Sequence, residues 1–208
     1  MAANVISASL WGNNPKYTIG AIRNAELWPR FYPDWKFRIY HDDSVPEETL
    51  RELSSRGVEL VKKERLGSFH GMFWRFEVND DPTVDKFIVR DLDSRFSVRE
   101  KFCVDQWLAS EQPFHAMRDH PHHTVAIMGG MWGGTTGYFQ IKPIIDSWKR
   151  YGQYGIDQEM LERKFWPLIK NLCHVNDTRR GPNAEVPRNE DGTHIGQIFE
   201  ADDTPVWR

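Results

Sequence analysis

The sequence predicts an α/β fold: a mostly parallel central sheet, helices on both of its faces, and a smaller irregular region toward the carboxyl end. Three observations carry this. Short apolar runs rich in β-formers alternate with stretches of helical period from residue 5 onward. Each run stops at a cluster of Gly, Pro, Asn, Asp or Ser. The alternation then breaks down in the second half, which gains loops, His and Gly.

Residues 5–10 form the first strand, ended by Gly12-Asn13-Asn14-Pro15, and Pro15 suits the first turn of a helix. Residues 17–31 follow with Ile22, Ala25, Trp28 and Phe31 at helical spacing. Residues 35–40 read as a second strand. Ser44 and Glu47 have the spacing of a capping box ahead of a helix that Gly57 ends. Residues 58–62 are a third strand, 71–79 a short helix with Phe73, Trp74 and Phe76 on it, and 86–89 a fourth strand. Residues 98–110 are helical, and 114–117 and 125–128 are strand-like. Residues 144–151 and 156–172 read as helices, the second kinked at Pro167. Residues 173–175 and 195–199 are short late strands. The order β-α-β-α-β-α-β requires crossover connections and hence parallel pairing. In such sheets ligands bind beyond the carboxyl ends of the strands, which directs attention to the loops after Leu10, Tyr40, Lys62 and Val89.

Composition narrows the function. The chain has 208 residues, enough for one domain with a large core, and 27 Lys and Arg against 30 Asp and Glu. A net charge of −3 argues against a nucleic-acid binder, which needs a basic face. The 39% hydrophobic content, with 9 Trp, 12 Phe and 6 Tyr, excludes disorder. Trp28, Trp35, Trp107, Trp148 and Trp166 fall inside elements and are read as packing, whereas Trp11, Trp74 and Trp132 flank the loops of interest. Two cysteines without a CxxC fit a reducing compartment. Residues 1–12 lack the basic region and apolar run of a signal peptide, and no segment reaches the length of a membrane span. A cytoplasmic protein is expected. The last residues lack a clear cap, which fits one domain of a longer chain.

The strongest chemical signal is Lys86-Phe87-Ile88-Val89-Arg90-Asp91-Leu92-Asp93. Carboxylates at i and i+2 past an apolar strand share one face, and two like charges so close need a counter-charge or a proton. A divalent cation is the natural partner of such oxygens; Arg90 and Arg95 are the other source of positive charge. The cluster His115, His120, His122, His123 has no zinc-site spacing and reads as polar loop groups available to hydrogen-bond a ligand. Gly129–Gly137 is no phosphate loop, since no Gly-Lys-Ser/Thr follows.

With Asp91-Leu92-Asp93 at the end of the fourth strand, the chain resembles the nucleotide-sugar glycosyltransferases of the GT-A fold. Gly71-Met72-Phe73-Trp74-Arg75-Phe76, Gly129-Gly130-Met131-Trp132-Gly133-Gly134, Gly155-Ile156-Asp157-Gln158 and His194-Ile195-Gly196 fit the same pattern. The whole run looks closest to glycosyltransferase domains of large algal viruses.

The resemblance implies a single GT-A domain over 1–208, with a nucleotide-binding half (1–95) and an acceptor-binding half (96–208). It implies Mn2+ or Mg2+ held by Asp91 and Asp93, with His194 as third ligand. Leu10, Trp11 and Tyr17 would cradle uridine, with Asp42 accepting a uracil N–H. Arg75 and Arg90 would meet phosphate or sugar oxygens, and Gly130 would approach the donor sugar. Asp157, or in its place Asp119, would be the base that an inverting transfer requires. The donor is expected to be UDP-glucose or another UDP-hexose or deoxyhexose such as UDP-rhamnose. The acceptor is expected to be a glycan or glycoprotein hydroxyl. Two other readings remain: a phosphatase of the haloacid dehalogenase type with Asp91 as nucleophile and Asp202-Asp203 as its late acidic pair, and a non-catalytic sugar-nucleotide binder.

Overall fold

The computed structural model describes residues 2–64, 69–150, 152–178, 185–187 and 192–206. Its seven strands are β1 (Ala3–Leu10), β2 (Lys36–His41), β3 (Glu59–Lys62), β4 (Val84–Arg90), β5 (Phe114–Arg118), β6 (Met131–Thr135) and β7 (Cys173–Asp177). They form one sheet in the order β3-β2-β1-β4-β6-β5-β7. All neighbours run parallel except at β6, which is antiparallel to both β4 and β5. The helices are α1 (Pro15–Phe31), α2 (Glu47–Ser55), α3 (Val98–Ala109), α4 (Lys142–Ser147), α5 (Ile156–Met160) and α6 (Trp166–Ile169), with a 3-10 helix over His70–Asp80. No helix among the described residues is long and apolar enough to cross a membrane.

Strand alternation sorts the side chains into two cores. On β4, Phe87 and Val89 join Phe76, Phe114, Trp132 and Phe165 on one face, while Ile88 points to the other, among Ile6, Ala8, Leu10, Leu92 and the α1 and α3 helices. Pro15 and Asn14 start α1 as the sequence implies, and the Asn14 side chain accepts from the Lys16 N–H.

Several elements depart from expectation. The strand expected at 125–128 is absent. The chain instead pairs through Met131–Thr135, the very glycine stretch read as a donor loop. Gly133 faces the β4 backbone so closely that a Cβ there would lie 2.4 Å from the Phe87 carbonyl oxygen, so low β-propensity hides a strand that needs glycine. Trp132 is accordingly fully buried against Phe76, Phe87 and Phe165, not at a ligand. Ser44 caps nothing: Pro46 occupies the N-cap of α2, and Ser44 bonds to Asp42 instead. The helix expected over 156–172 is interrupted by a π-helical turn at Leu161–Phe165, just before Pro167, whose missing N–H cannot continue the ladder. The strand expected at 195–199 reduces to a bridge between Phe199 and Pro205. Residue 151, the end of the helix expected from 144, lies outside the described residues; α4 itself ends at Ser147.

His115 is a core group, not a loop ligand. It lies on β5, stacks on Trp107 (centroids 5.4 Å apart, planes 8° off parallel), and its Nε2 is 2.8 Å from Asn176 Oδ1. Burial pushes its imidazole down to about 3, against the opposing pull of the Asn176 bond. The unfolded chain therefore takes up this proton before the native one does. The stability tied to it is complete above the ordinary histidine pKa and is lost as pH falls from about 6.5 toward 3. His115→Phe keeps the stack and should flatten the fall of urea-unfolding stability across that window; an unchanged slope would contradict the assignment.

Candidate active site

The carboxyl ends of β1 and β4 open onto a cavity of about 620 Å3, a volume typical of small-ligand sites. The end of β1, the loop after it and the first turn of α1 supply Leu10, Trp11, Asn14 and Tyr17, and the turn after β4 supplies Asp91, Leu92 and Asp93. The 3-10 helix contributes Met72 and Arg75, the approach to β6 contributes Gly129 and Gly130, and α5 contributes Asp157 and Gln158. His120, His122, His123, Tyr154 and His194 line the same cavity.

Arg75 is the hub. Ser7 and Ser9, one face of β1, fix its backbone: Ser7 Oγ donates to its carbonyl (2.7 Å) and its N–H donates to Ser9 Oγ (3.0 Å). Polar residues at i and i+2 in an apolar strand were the available sequence signal for this clamp. The guanidinium donates from one nitrogen to Asp91 Oδ1 and to the Arg90 carbonyl (3.3 Å), and from the other to Asp157 Oδ2 (2.9 Å). Burial works against its charge, and Asp91 and Asp157 more than offset that, so the group is held firmly protonated.

The turn bearing the carboxylates is fastened from α1. Asn24 Nδ2 donates to the carbonyls of Leu92 (3.3 Å) and Ser94 (2.8 Å). Asp93 is buried and its carboxyl is pushed up to about 6, first by burial and then by the charge of Asp91, with Lys16 opposing from 3.9 Å. A site with two strand-end carboxylates and that deficit of positive charge fits a divalent cation. Gly130 faces Asp91 so closely that a Cβ would fall 2.0 Å from Oδ2, so the β6 approach is shaped around this carboxylate.

Other sequence-derived residues sit elsewhere. Arg90 does not reach the cavity: it is buried, donates to Glu100 (2.7 Å) and to the carbonyls of Val89 and Trp132, and Glu100 also accepts from Tyr32. It is a structural ion pair between β4 and α3. Asp42 is not in the cavity lining either. It accepts the Ser44 N–H (3.0 Å), and Ser44 Oγ accepts the Gly12 N–H (2.6 Å), so it ties the end of β2 to the loop after β1. Asp119 is likewise outside the lining, bonded to Arg99 (2.8 Å) and to the Ile195 N–H (2.9 Å), which fixes the late segment and leaves it unsuited to be a base. His194 lines the cavity but stacks on His120 (4.1 Å), and burial and neighbouring cations lower it to about 4. Among the described residues no three metal-ligating side chains are already clustered, and His194 shares the cavity lining with Asp91 and Asp93 without being grouped with them. Trp74 is buried edge-on to Trp11 (6.4 Å) and only Trp11 of the pair lines the cavity. Asp157 is 3% exposed, and burial raises its carboxyl against the pull of Arg75. Asp202 and Asp203 lie outside the cavity, with Asp203 paired to Arg23 and Arg95 at the surface.

This sheet order with its antiparallel β6 and strand-end cavity defines a GT-A fold. No protein-family model and no curated protein matches the sequence. Among solved structures, the chain is similar to a glycosyltransferase involved in the glycosylation of the major capsid of PBCV-1, with TM-score 0.51 and 17% identity over 84% of this chain and 81% of that one. It is similar also to M. tuberculosis glucosyl-3-phosphoglycerate synthase, with TM-score 0.54 and 13% identity over 91% of this chain and 74% of that one. The same mycobacterial enzyme solved with Mn2+, UDP-glucose and glycerol 3-phosphate gives TM-score 0.52 and 14% identity over 91% of this chain and 74% of that one.

Proposed function

We propose that the chain is a glycosyltransferase that moves a sugar from a nucleoside-diphosphate donor, UDP-glucose or another UDP-hexose or deoxyhexose such as UDP-rhamnose, to a hydroxyl of a glycan or glycoprotein. The observation that carries this is the pair Asp91 and Asp93 at the β4 end, aimed into a cavity where Arg75 is the only Arg or Lys among the described lining residues. A diphosphate brings about three negative charges, and Arg75 is already shared between two carboxylates. Asp91 and Asp93 would therefore hold Mn2+ or Mg2+, which as a Lewis acid stabilises the charge that develops on the leaving diphosphate. Leu10, Trp11 and Tyr17 would receive the nucleoside, with Tyr17 stacking on the base. Gly130 would let the backbone approach the donor, beside Leu92.

Asp157 is the residue we assign as base. It is fixed by Arg75, lines the cavity, and its raised carboxyl brings proton affinity closer to neutral pH, where a general base is most effective. Transfer through such a base inverts the anomeric configuration. The phosphatase reading loses support because Asp202 and Asp203 lie outside the cavity that Asp91 lines, with Asp203 spent on surface ion pairs to Arg23 and Arg95.

The test is incubation with Mn2+ and a panel of nucleotide sugars. Release of the nucleoside diphosphate, lost on chelation, is the expected result. Phosphate release from simple phosphomonoesters would favour the phosphatase instead, and chelator-insensitive binding without turnover would favour a binding module.

A further inference from the structure

We propose that the part of the cavity lined by Tyr154, His120, His122 and His194 is the acceptor subsite, and that it takes an uncharged sugar and not a phosphorylated or carboxylated acceptor. This rests on the donor reading above.

The sheet order separates this region from the nucleoside end. β1 and its loop lie on one side of β4, whereas β6 and then β5 lie on the other. Arg90 pairs with Met131 and Ala116 with Trp132, so the chain leaving β5, which carries His120 and His122, emerges on the far side of Asp91 from Trp11 and Tyr17. An acceptor must enter from that side if the nucleotide occupies the loop after β1.

Three features give the ligand class. Tyr154 is 71% exposed on the turn that ends at Gly155 (φ +77°) and still lines the cavity, which is where an aromatic ring can meet the apolar face of a pyranose. His120 and His194 are stacked with planes 22° apart, adding a second flat surface. The third feature is the shortage of positive charge. His120 Nδ1 accepts the His122 N–H (3.2 Å) and His123 Nδ1 accepts the Asp119 N–H (2.9 Å). These two bonds fix the orientation of both rings. Arg75, the only Arg or Lys among the described lining residues, is already bonded to Asp91 and Asp157. An anionic acceptor would therefore meet three carboxylates with no unspent Arg or Lys in the described lining, whereas sugar hydroxyls match imidazole nitrogens. The mycobacterial neighbour has been solved with phosphoglyceric acid, so the two sites would differ in charge although they share a fold.

The experiment uses the whole chain with Mg2+ and UDP. Saturation-transfer NMR then compares methyl glucoside, methyl xyloside and methyl rhamnoside with glucose 6-phosphate and glucuronate. The neutral glycosides should give signal and the anions little. Tyr154→Ala should weaken the best glycoside about tenfold, Tyr154→Trp should restore it, and calorimetric UDP affinity should be kept in both. Anions binding as well as the glycosides, or glycoside binding untouched by Tyr154→Ala, would overturn the inference. Failure of the wild-type chain to bind UDP would overturn the donor reading instead.

Discussion

Replacing Asp93 with Asn is expected to lower the rate of cation-dependent UDP release from UDP-glucose by about a thousandfold, measured as kcat/KM at saturating Mn2+. Loss of one of two anionic ligands removes several kcal/mol of transition-state stabilisation, and each ~1.4 kcal/mol is tenfold in rate. The same variant carries a prediction of opposite sign. Burial and Asp91 raise the Asp93 carboxyl to about 6, so the fold disfavours its ionised form. That cost is absent below the ordinary carboxylate range and complete above pH 6. In chelator at pH 7.5, Asp93→Asn should therefore melt higher than the wild type, and Mn2+ should raise the wild-type Tm but not that of the variant. A variant that melts lower in chelator and still gains Tm from Mn2+ would contradict the placement of the cation.

Arg75→Leu should cost about 3–5 kcal/mol of stability, because it strands Asp157, buried and without its counter-charge. For a chain of this length that is a fall in Tm of roughly 8–15 °C. The stranded carboxyl should also hold its proton to higher pH, so residual activity should shift its acid limb upward. Removing the orphaned charge as well, in Arg75→Leu/Asp157→Leu, should return part of the loss, a coupling that a thermal double-mutant cycle reads directly. Additive losses would show that the Arg75 side chain acts only through its contacts with Asp91 and the Arg90 carbonyl.

The first four strands and their helices were legible because each had a clean period and a chemical stop: Asn14-Pro15 before α1, Gly57 after α2, Asp91 past β4. The second half was less so. β6 was hidden because Gly133 and Gly134 lie too close to Phe87 and Phe114 to carry a side chain, which removes the β-branched signal that marks a strand. The carboxylate pair could be found from local spacing. The roles of Arg90, Asp42 and Asp119 could not, since each is decided by a partner distant in sequence or by a turn: Glu100 and Trp132, Gly12 through Ser44, Arg99 and Ile195. Tyr154 gave no signal at all, because an exposed aromatic in a polar turn has no period. The aromatic excess divides in the same way. Most of it is buried, Trp74 and Trp132 included, and Trp11, Tyr17, Phe69 and Tyr154 line the cavity.

The central claim is that the Asp91–Asp93 pair recruits the donor's diphosphate through a divalent cation. Calorimetric titration with UDP, in Mn2+ and again in chelator, tests it most directly on the wild type and on Asp93→Asn. The account predicts that chelator or the substitution weakens UDP binding at least about a hundredfold, and that the two effects do not add. UDP binding of equal strength in chelator would contradict it.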